Sequence, residues 1–189
     1  RAGRTNDVNT LAAKFSKNGE SEWLYKVYEK GQELNPNYEF GFQQASSLAN
    51  LGQTEKMIDV YLDLIEKKAN NLNTVKIKLQ NSLGRTKSSK DNYDLLRKKL
   101  LLRVQKTNNS ELTELLVWLY IQSNEYDAAY IYTKALDKRL KEDGSRMFDL
   151  AYVAYENKAY QSAIKCYQYI INLGSENTYY KDAKISELI

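Results

Sequence analysis

The chain has 189 residues, a formal net charge of +4 and 42% apolar residues, which is enough for one or two domains with a sizeable core. Histidine is absent and Cys166 is the single cysteine, so a histidine base and an intrachain disulfide are both excluded. One proline and eight glycines leave little turn chemistry for a β-rich fold. The longest apolar run, 115–121, is far shorter than the roughly 20 residues of a membrane-spanning helix.

In chain order, helical patterns recur in pairs. Gly19 and Gly52 each stand between two helical segments, about 33 residues apart. The third pair, 71–84 and 91–105, is separated by a polar loop, 85–90. This spacing predicts five helix pairs and one further helix, and the predicted repeats cover residues 5–37, 38–71, 72–109, 110–143, 144–176 and, in part, 177–189.

The segment 147–173 shows the pattern most clearly. It predicts two short helices joined by a turn at 157–159. Ala151 and Ala154 share a stripe on the first helix, and Ala163 and Tyr167 share one on the second. Neither helix can bury its stripe alone, so this pair needs neighbours of the same kind.

The neighbouring repeats carry similar residues at the same places. Tyr126 to Ala129 aligns with Tyr160 to Ala163 at a spacing of about 34 residues. One known repeat pattern is W-x2-L-G-x2-Y, followed by A-x3-F. In the fifth repeat its six defined positions are occupied by Met147, Leu150, Ala151, Ala154, Ala163 and Tyr167. The pattern is matched in the first repeat by Val8, Leu11, Ala12, Phe15, Leu24 and Tyr28, in the second by Gly41, Gln44, Ala45, Leu48, Met57 and Tyr61, and in the fourth by Thr113, Leu116, Val117, Tyr120, Ala129 and Thr133.

In these positions the chain resembles the tetratricopeptide repeat (TPR) family, with degenerate repeats. The resemblance implies an all-α, right-handed superhelical solenoid of antiparallel helix pairs, about five pairs plus one terminal helix. It also implies a single domain over 1–189, which we expect to be a fragment of a longer chain, and a non-enzymatic scaffold for a protein or peptide partner.

No catalytic motif accompanies this pattern. The sequence contains no GxSxG, GxxxxGK[ST], GxGxxG or CxxC motif, and no histidine that could activate Cys166. We therefore predict no enzymatic activity, no metal and no organic cofactor. Cys166 is predicted to be a buried, inert thiol.

In the TPR family the first helix of each pair lines an inner, concave surface, and a partner segment binds there. Aromatic residues at such positions offer a large contact area at low entropic cost. The alternative for Trp118, Tyr152 and Tyr155 is that their rings fill core space. The resemblance places the following predicted partner-binding residues on the inner surface: Phe42, Ser46, Asn81, Trp118, Gln122, Phe148, Tyr152 and Tyr155.

The middle repeat is strongly basic. Residues 73–108 contain ten Lys or Arg and two Asp or Glu. The alternative function is therefore electrostatic docking to nucleic acid or an anionic surface. Because Tyr93 is the only aromatic residue within the basic run, base stacking and hence nucleic acid binding are disfavoured. We expect Lys98, Lys99, Arg103 and the loop 85–90 to be largely exposed. The predicted basic patch consists of Arg85, Lys87, Lys90, Arg97, Lys98, Lys99 and Arg103.

Two further possibilities follow from the same residues. The basic patch could be a solvated outer face with no partner. The chain could instead form homo-oligomers or pack against the rest of a longer chain.

Overall fold

A computed structural model of the chain describes residues 2–84 and 89–187, and these residues form α-helices without any β-strand. The predicted all-α fold of about five helix pairs and one terminal helix is confirmed. A 3-10 turn, Ala69–Asn71, precedes the fifth helix. The helices of the described residues are α1 (Ala2–Lys17), α2 (Ser21–Leu34), α3 (Gly41–Asn50), α4 (Thr54–Lys67), α5 (Leu72–Leu83), α6 (Ser89–Lys106), α7 (Ser110–Gln122), α8 (Tyr126–Leu140), α9 (Ser145–Glu156), α10 (Tyr160–Ile171) and α11 (Tyr180–Ser186).

The terminal helix begins later than predicted. The sequence pattern places its start at Asn177, whereas α11 begins at Tyr180. The Asn177 side chain explains the difference, because it donates a hydrogen bond to the Asp143 carbonyl (2.6 Å) and accepts one from the Tyr179 amide (2.8 Å). An asparagine used in this way holds the backbone in a turn and leaves the helix to start after it.

Four of the helix pairs are closed by the same turn. One residue of each turn adopts a left-handed conformation. Its φ is +73° at Gly19, +68° at Gly52, +58° at Asn124 and +62° at Lys158. In the last of these turns the Ala159 amide donates to the Ala154 carbonyl (2.8 Å) and the Lys158 amide to the Tyr155 carbonyl (2.8 Å), and the other three turns repeat this pattern. These two bonds satisfy carbonyls at the end of the first helix, as in a Schellman motif.

The chain divides into two compact units, Arg1–Lys99 and Leu100–Ile189, and the boundary falls within α6. In the first unit α1 to α5 pack in succession, each helix against the next. In the second unit α7 to α11 pack in succession, and α8 also contacts α10. Contacts between chain neighbours are the defining feature of helical repeats.

Small residues lie where paired helices approach each other. Ala151, Ala154 and Ala163 are fully buried between α9 and α10, and Ala45 is fully buried in α3. Buried small residues thus occur in helix pairs of both units. Among residues 2–84 and 89–187, no helix has the length and apolar character required to cross a membrane.

Candidate interaction surfaces

In the first unit, α3 carries two of the predicted partner-binding residues. Phe42 is half-buried with its ring 6.4 Å from that of Tyr61, and the exposed Ser46 hydroxyl donates to the Phe42 carbonyl (2.9 Å). Both line an open cleft of about 310 Å³, together with Leu24 and Tyr28 of α2. Asn81 is exposed on α5 but is not part of the cleft lining.

Phe148, predicted to bind a partner, is engaged in helix packing in the second unit. Its ring lies 5.9 Å from Tyr167 of α10 and stacks at 5.3 Å on Tyr179, which precedes α11. The side chain is half-buried as a result. Phe148 therefore helps to attach α10 and the segment before α11 to α9, and only part of its ring is free to meet a partner.

Tyr152 lies in a different environment. Its side chain is 58% exposed, although Ala151 and Ala154 on the same helix are fully buried. One residue is about 100° of rotation on a helix, which turns Tyr152 away from the stripe that contacts α10. Tyr155 is half-buried and makes an edge-to-face contact with Tyr160 of α10 at 5.5 Å.

The neighbouring first helix, α7, carries Trp118 and Gln122 at the positions equivalent to Tyr152 and Glu156. Trp118 is half-buried and Gln122 is exposed. An ion pair fixes α9 to α7, since Arg146 Nη1 lies 2.6 Å from Glu114 Oε2. Two successive first helices of the second unit thus carry an aromatic residue at the same repeat position.

The basic patch is less exposed than predicted. Lys90 and Lys98 are exposed, whereas Arg97 and Arg103 are half-buried and the Lys99 side chain is only 17% exposed. The predicted exposure of Lys99 and Arg103 is therefore wrong. Arg85 and Lys87 lie outside the described residues.

For Lys99 the physical reason is the acidic face of α4. Lys99 Nζ lies 2.8 Å from Asp59 Oδ2 and 3.0 Å from Glu55 Oε1. Burial alone would lower the pKa of Lys99, but its hydrogen bonds to these two carboxylates raise the pKa above its ordinary value. Lys99 thus serves packing within the first unit.

Cys166 is fully buried on α10. Burial raises the pKa of the thiol to about 12, so the unreactive neutral form dominates at physiological pH. Among the residues that the structure describes, no group of three or more Cys, Asp or Glu side chains is arranged to hold a metal ion.

Two surface features were not predicted from the sequence. The first is an apolar cleft of about 490 Å³ between α1 and α2, lined by the exposed Leu11, Trp23 and Leu34. The second is an open pocket of about 320 Å³ between α8 and α10. Its lining residues, which we call the lysine pocket, are Tyr130, Lys134, Lys138, Lys165, Gln168, Tyr169, Asn172 and Leu173.

The sequence contains only a weak signal for the lysine pocket. Lys134 and Lys138 are four residues apart on one helix, which is the usual pattern of a solvated helix face. Lys165 comes from another repeat, and only the packing of α8 against α10 brings it to the same pocket.

Comparison with family models finds no match, and comparison with curated proteins finds none either. Among solved structures, this chain is similar to a thermophilic TPR protein from Thermus thermophilus, with 12% identity over 97% of this chain and 99% of that chain and a TM-score of 0.45. The recurrent turn and the buried small residues are observations of the chain itself, independent of that comparison. With its successive antiparallel helix pairs, the all-helical structure fits a degenerate TPR-like helical repeat.

Proposed function

We propose that this chain is a non-enzymatic scaffold that binds a segment of a partner protein on the first helices of its second unit. The observation that carries the proposal is the 58% exposure of Tyr152 beside the fully buried Ala151 and Ala154. Ala151 and Ala154 provide the buried face of α9 without this ring. Helix packing therefore does not account for a large aromatic side chain at position 152.

An exposed tyrosine is well suited to recognition. Its ring offers a large apolar area, its hydroxyl hydrogen-bonds at the edge of an interface, and it has few rotatable bonds to immobilise. Trp118 stands at the equivalent position of α7 and extends the same chemistry to the neighbouring helix. In the first unit, the cleft beside Phe42 and Ser46 is a separate candidate contact.

The test is a single substitution with a matched control. Peptides that bind the protein would be selected from a random displayed library, and their affinities for each variant measured by fluorescence polarisation. Tyr152→Ala should weaken binding by about 2 kcal/mol, or roughly 30-fold, as expected for an interface aromatic. Ile131→Ala removes a comparably exposed apolar side chain from α8 and should leave affinity unchanged.

Melting temperatures decide how the affinities are interpreted. Tyr152→Ala should melt within a few degrees of wild type because the ring is exposed. Equal affinity of the selected peptides for wild type and Tyr152→Ala would place the binding site elsewhere and sink the proposal. The half-buried Tyr155 is left unchanged, because its loss would also remove the contact with Tyr160.

Electrostatic docking through the basic patch is the second candidate, favoured by the exposure of Lys90 and Lys98. It has less support because Lys99 already pairs with Asp59 and Glu55. Salt separates the two candidates: binding through phosphate contacts weakens steeply with ionic strength, whereas an aromatic contact survives moderate salt. The Lys98→Glu variant should weaken binding only if the basic patch is the site.

A further inference from the structure

The lysine pocket lies between two second helices, α8 and α10, and has its own chemistry. Three ammonium groups line it, from Lys134, Lys138 and Lys165, together with the side-chain amides of Gln168 and Asn172. Its volume of about 320 Å³ is within the range of small-ligand sites. Ammonium groups and amides are hydrogen-bond donors, so the pocket presents donors from several directions.

The charges of these lysines are only partly balanced. Lys165 Nζ lies 2.8 Å from Asp127 Oδ1, which neutralises one of the three. Within residues 2–84 and 89–187, neither Lys134 nor Lys138 has a carboxylate within ion-pair distance. These two lysines of the pocket therefore have no carboxylate ion-pair partner among the described residues.

One buried carboxylate, Asp137 of α8, accepts a hydrogen bond on each oxygen. One oxygen accepts a hydrogen bond from the Tyr169 hydroxyl (2.7 Å) and the other accepts one from the Gly144 amide (2.8 Å). Asp137 and Tyr169 are both buried, and this bond fixes the Tyr169 ring as one wall of the pocket. The pocket wall is thus held in place before any ligand binds, which lowers the entropic cost of binding.

Aromatic rings also hold the Lys134 ammonium group in place. Lys134 Nζ lies 5.6 Å from the ring centroid of Tyr130 and 5.5 Å from that of Tyr169. Both distances are within the range of cation–π attraction, which favours the charged ammonium at this place. Leu173, exposed at the rim, adds an apolar surface next to the charged one.

We propose that the lysine pocket binds a phosphate monoester, with the dianionic phosphate between Lys134 and Lys138 and the group that carries it on Tyr130 and Leu173. Two lysines without a carboxylate ion-pair partner suit the double charge of a phosphate dianion better than the single charge of a carboxylate. The Asn172 amide donates to a remaining phosphate oxygen, and Gln168, whose amide already donates to Glu187 Oε1 (3.2 Å), offers its second N–H. This site does not depend on the proposed partner surface, since none of its residues belongs to α7 or α9.

The experiment is isothermal titration calorimetry with phenyl phosphate, benzoate and inorganic phosphate at pH 7.5 and low salt. Wild type should bind one phenyl phosphate, at least about tenfold more tightly than benzoate because charge-assisted bonds to the dianion are stronger. The double variant Lys134→Gln, Lys138→Gln should lose at least about tenfold in affinity for phenyl phosphate. The control, Lys56→Gln with Lys181→Gln, removes the same charge from two exposed lysines outside the pocket.

Several results would overturn the proposal. Absence of saturable binding by wild type removes the site, and an equal loss in the control shows that net charge alone attracts the anion. Benzoate binding as tight as that of phenyl phosphate rules out a dianion site. If inorganic phosphate binds as tightly as phenyl phosphate, the role of Tyr130 and Leu173 is wrong.

Folding of the variants can be separated from binding. Lys138→Gln alone changes an exposed side chain and should keep the helical circular dichroism and the melting temperature of wild type. It should still weaken phenyl phosphate binding severalfold. A Lys138→Gln variant with wild-type melting and wild-type affinity would contradict the proposed contact directly.

Discussion

The pairs α3–α4 and α9–α10 occupy the same place in two different repeats and share one packing scheme. Phe42 lies against Tyr61 in the first unit, and Phe148 lies against Tyr167 in the second. Burial raises the pKa of both tyrosines. The phenylalanine–tyrosine pair therefore belongs to the repeat architecture rather than to one binding site.

The two pairs differ at many other equivalent positions, and two of these differences are informative. Met57 is fully buried in α4 where α10 has the fully buried Ala163, and Ser46 is exposed on α3 where α9 has the exposed Tyr152. The first difference concerns the space between paired helices and the second concerns the surface. The phenylalanine–tyrosine pair recurs between the repeats, whereas buried side chains such as Met57 and Ala163 differ in size. The exposed position, which packing does not constrain, is where an interaction can be specified.

The largest effect on stability should come from truncating Met57, the large buried side chain of α3–α4. Met57→Ala would leave a cavity in a fully buried site, so we expect a loss of about 2–5 kcal/mol in the free energy of unfolding. Chemical denaturation monitored by circular dichroism measures it. Lys56→Ala, an exposed neighbour, is the control and should stay within about 0.5 kcal/mol of wild type. Equal small effects of both changes would show that Met57 is not tightly packed.

The next effect tests whether Phe148 is a packing residue. Phe148→Ala removes contacts with two rings, Tyr167 and Tyr179, from a half-buried site. We expect a loss of about 2–3 kcal/mol, below the range for a fully buried phenylalanine. Phe42→Ala should cost about 1 kcal/mol less because Phe42 contacts one ring. Unchanged denaturation of the Phe148→Ala variant would instead return Phe148 to the candidate partner surface.

Much of the fold could be predicted because the repeat depends on local signals. Small residues at a spacing of about 34 residues mark where paired helices touch, and Ala129 and Ala163 are both buried as this requires. Only two of the four left-handed turn residues could be predicted. Gly19 and Gly52 signal a left-handed residue, but Asn124 and Lys158 adopt the same conformation at a cost of roughly 1–2 kcal/mol for a side chain with a Cβ. No single-residue rule identifies lysine at such a position.

The surfaces were harder to predict because they depend on contacts between repeats. Lys99 lies in a run of basic residues that resembles a solvated face, yet it is bonded to carboxylates of α4, 40 residues earlier. Lys165 belongs to the pocket shared with α8 for the same reason. A one-dimensional pattern shows which face of a helix is polar, but it does not show which other helix that face meets.

The smallest effect on stability should come from enlarging Ala163, the small buried side chain of α9–α10. Ala163 is 1% exposed on α10, which packs against α9, so the added atoms of Ala163→Leu have little room. Met57 is equally buried at the equivalent position, so α3–α4 accommodates a large side chain there. In α9–α10 the same position holds a small residue. We expect a loss of about 1–3 kcal/mol.

Ala135→Leu on α8 is the matched control, because Ala135 is exposed and both residues favour a helix. Denaturation midpoints of the two variants, measured side by side, separate overpacking from any general effect of the added methyl groups. If Ala163→Leu is as stable as wild type, α9 and α10 can move apart at little cost, and the difference between Met57 and Ala163 does not report different helix spacing. If it is destabilised as expected while Met57→Ala also loses stability, each pair is fitted to its own residue, and similar repeats in one chain are not interchangeable.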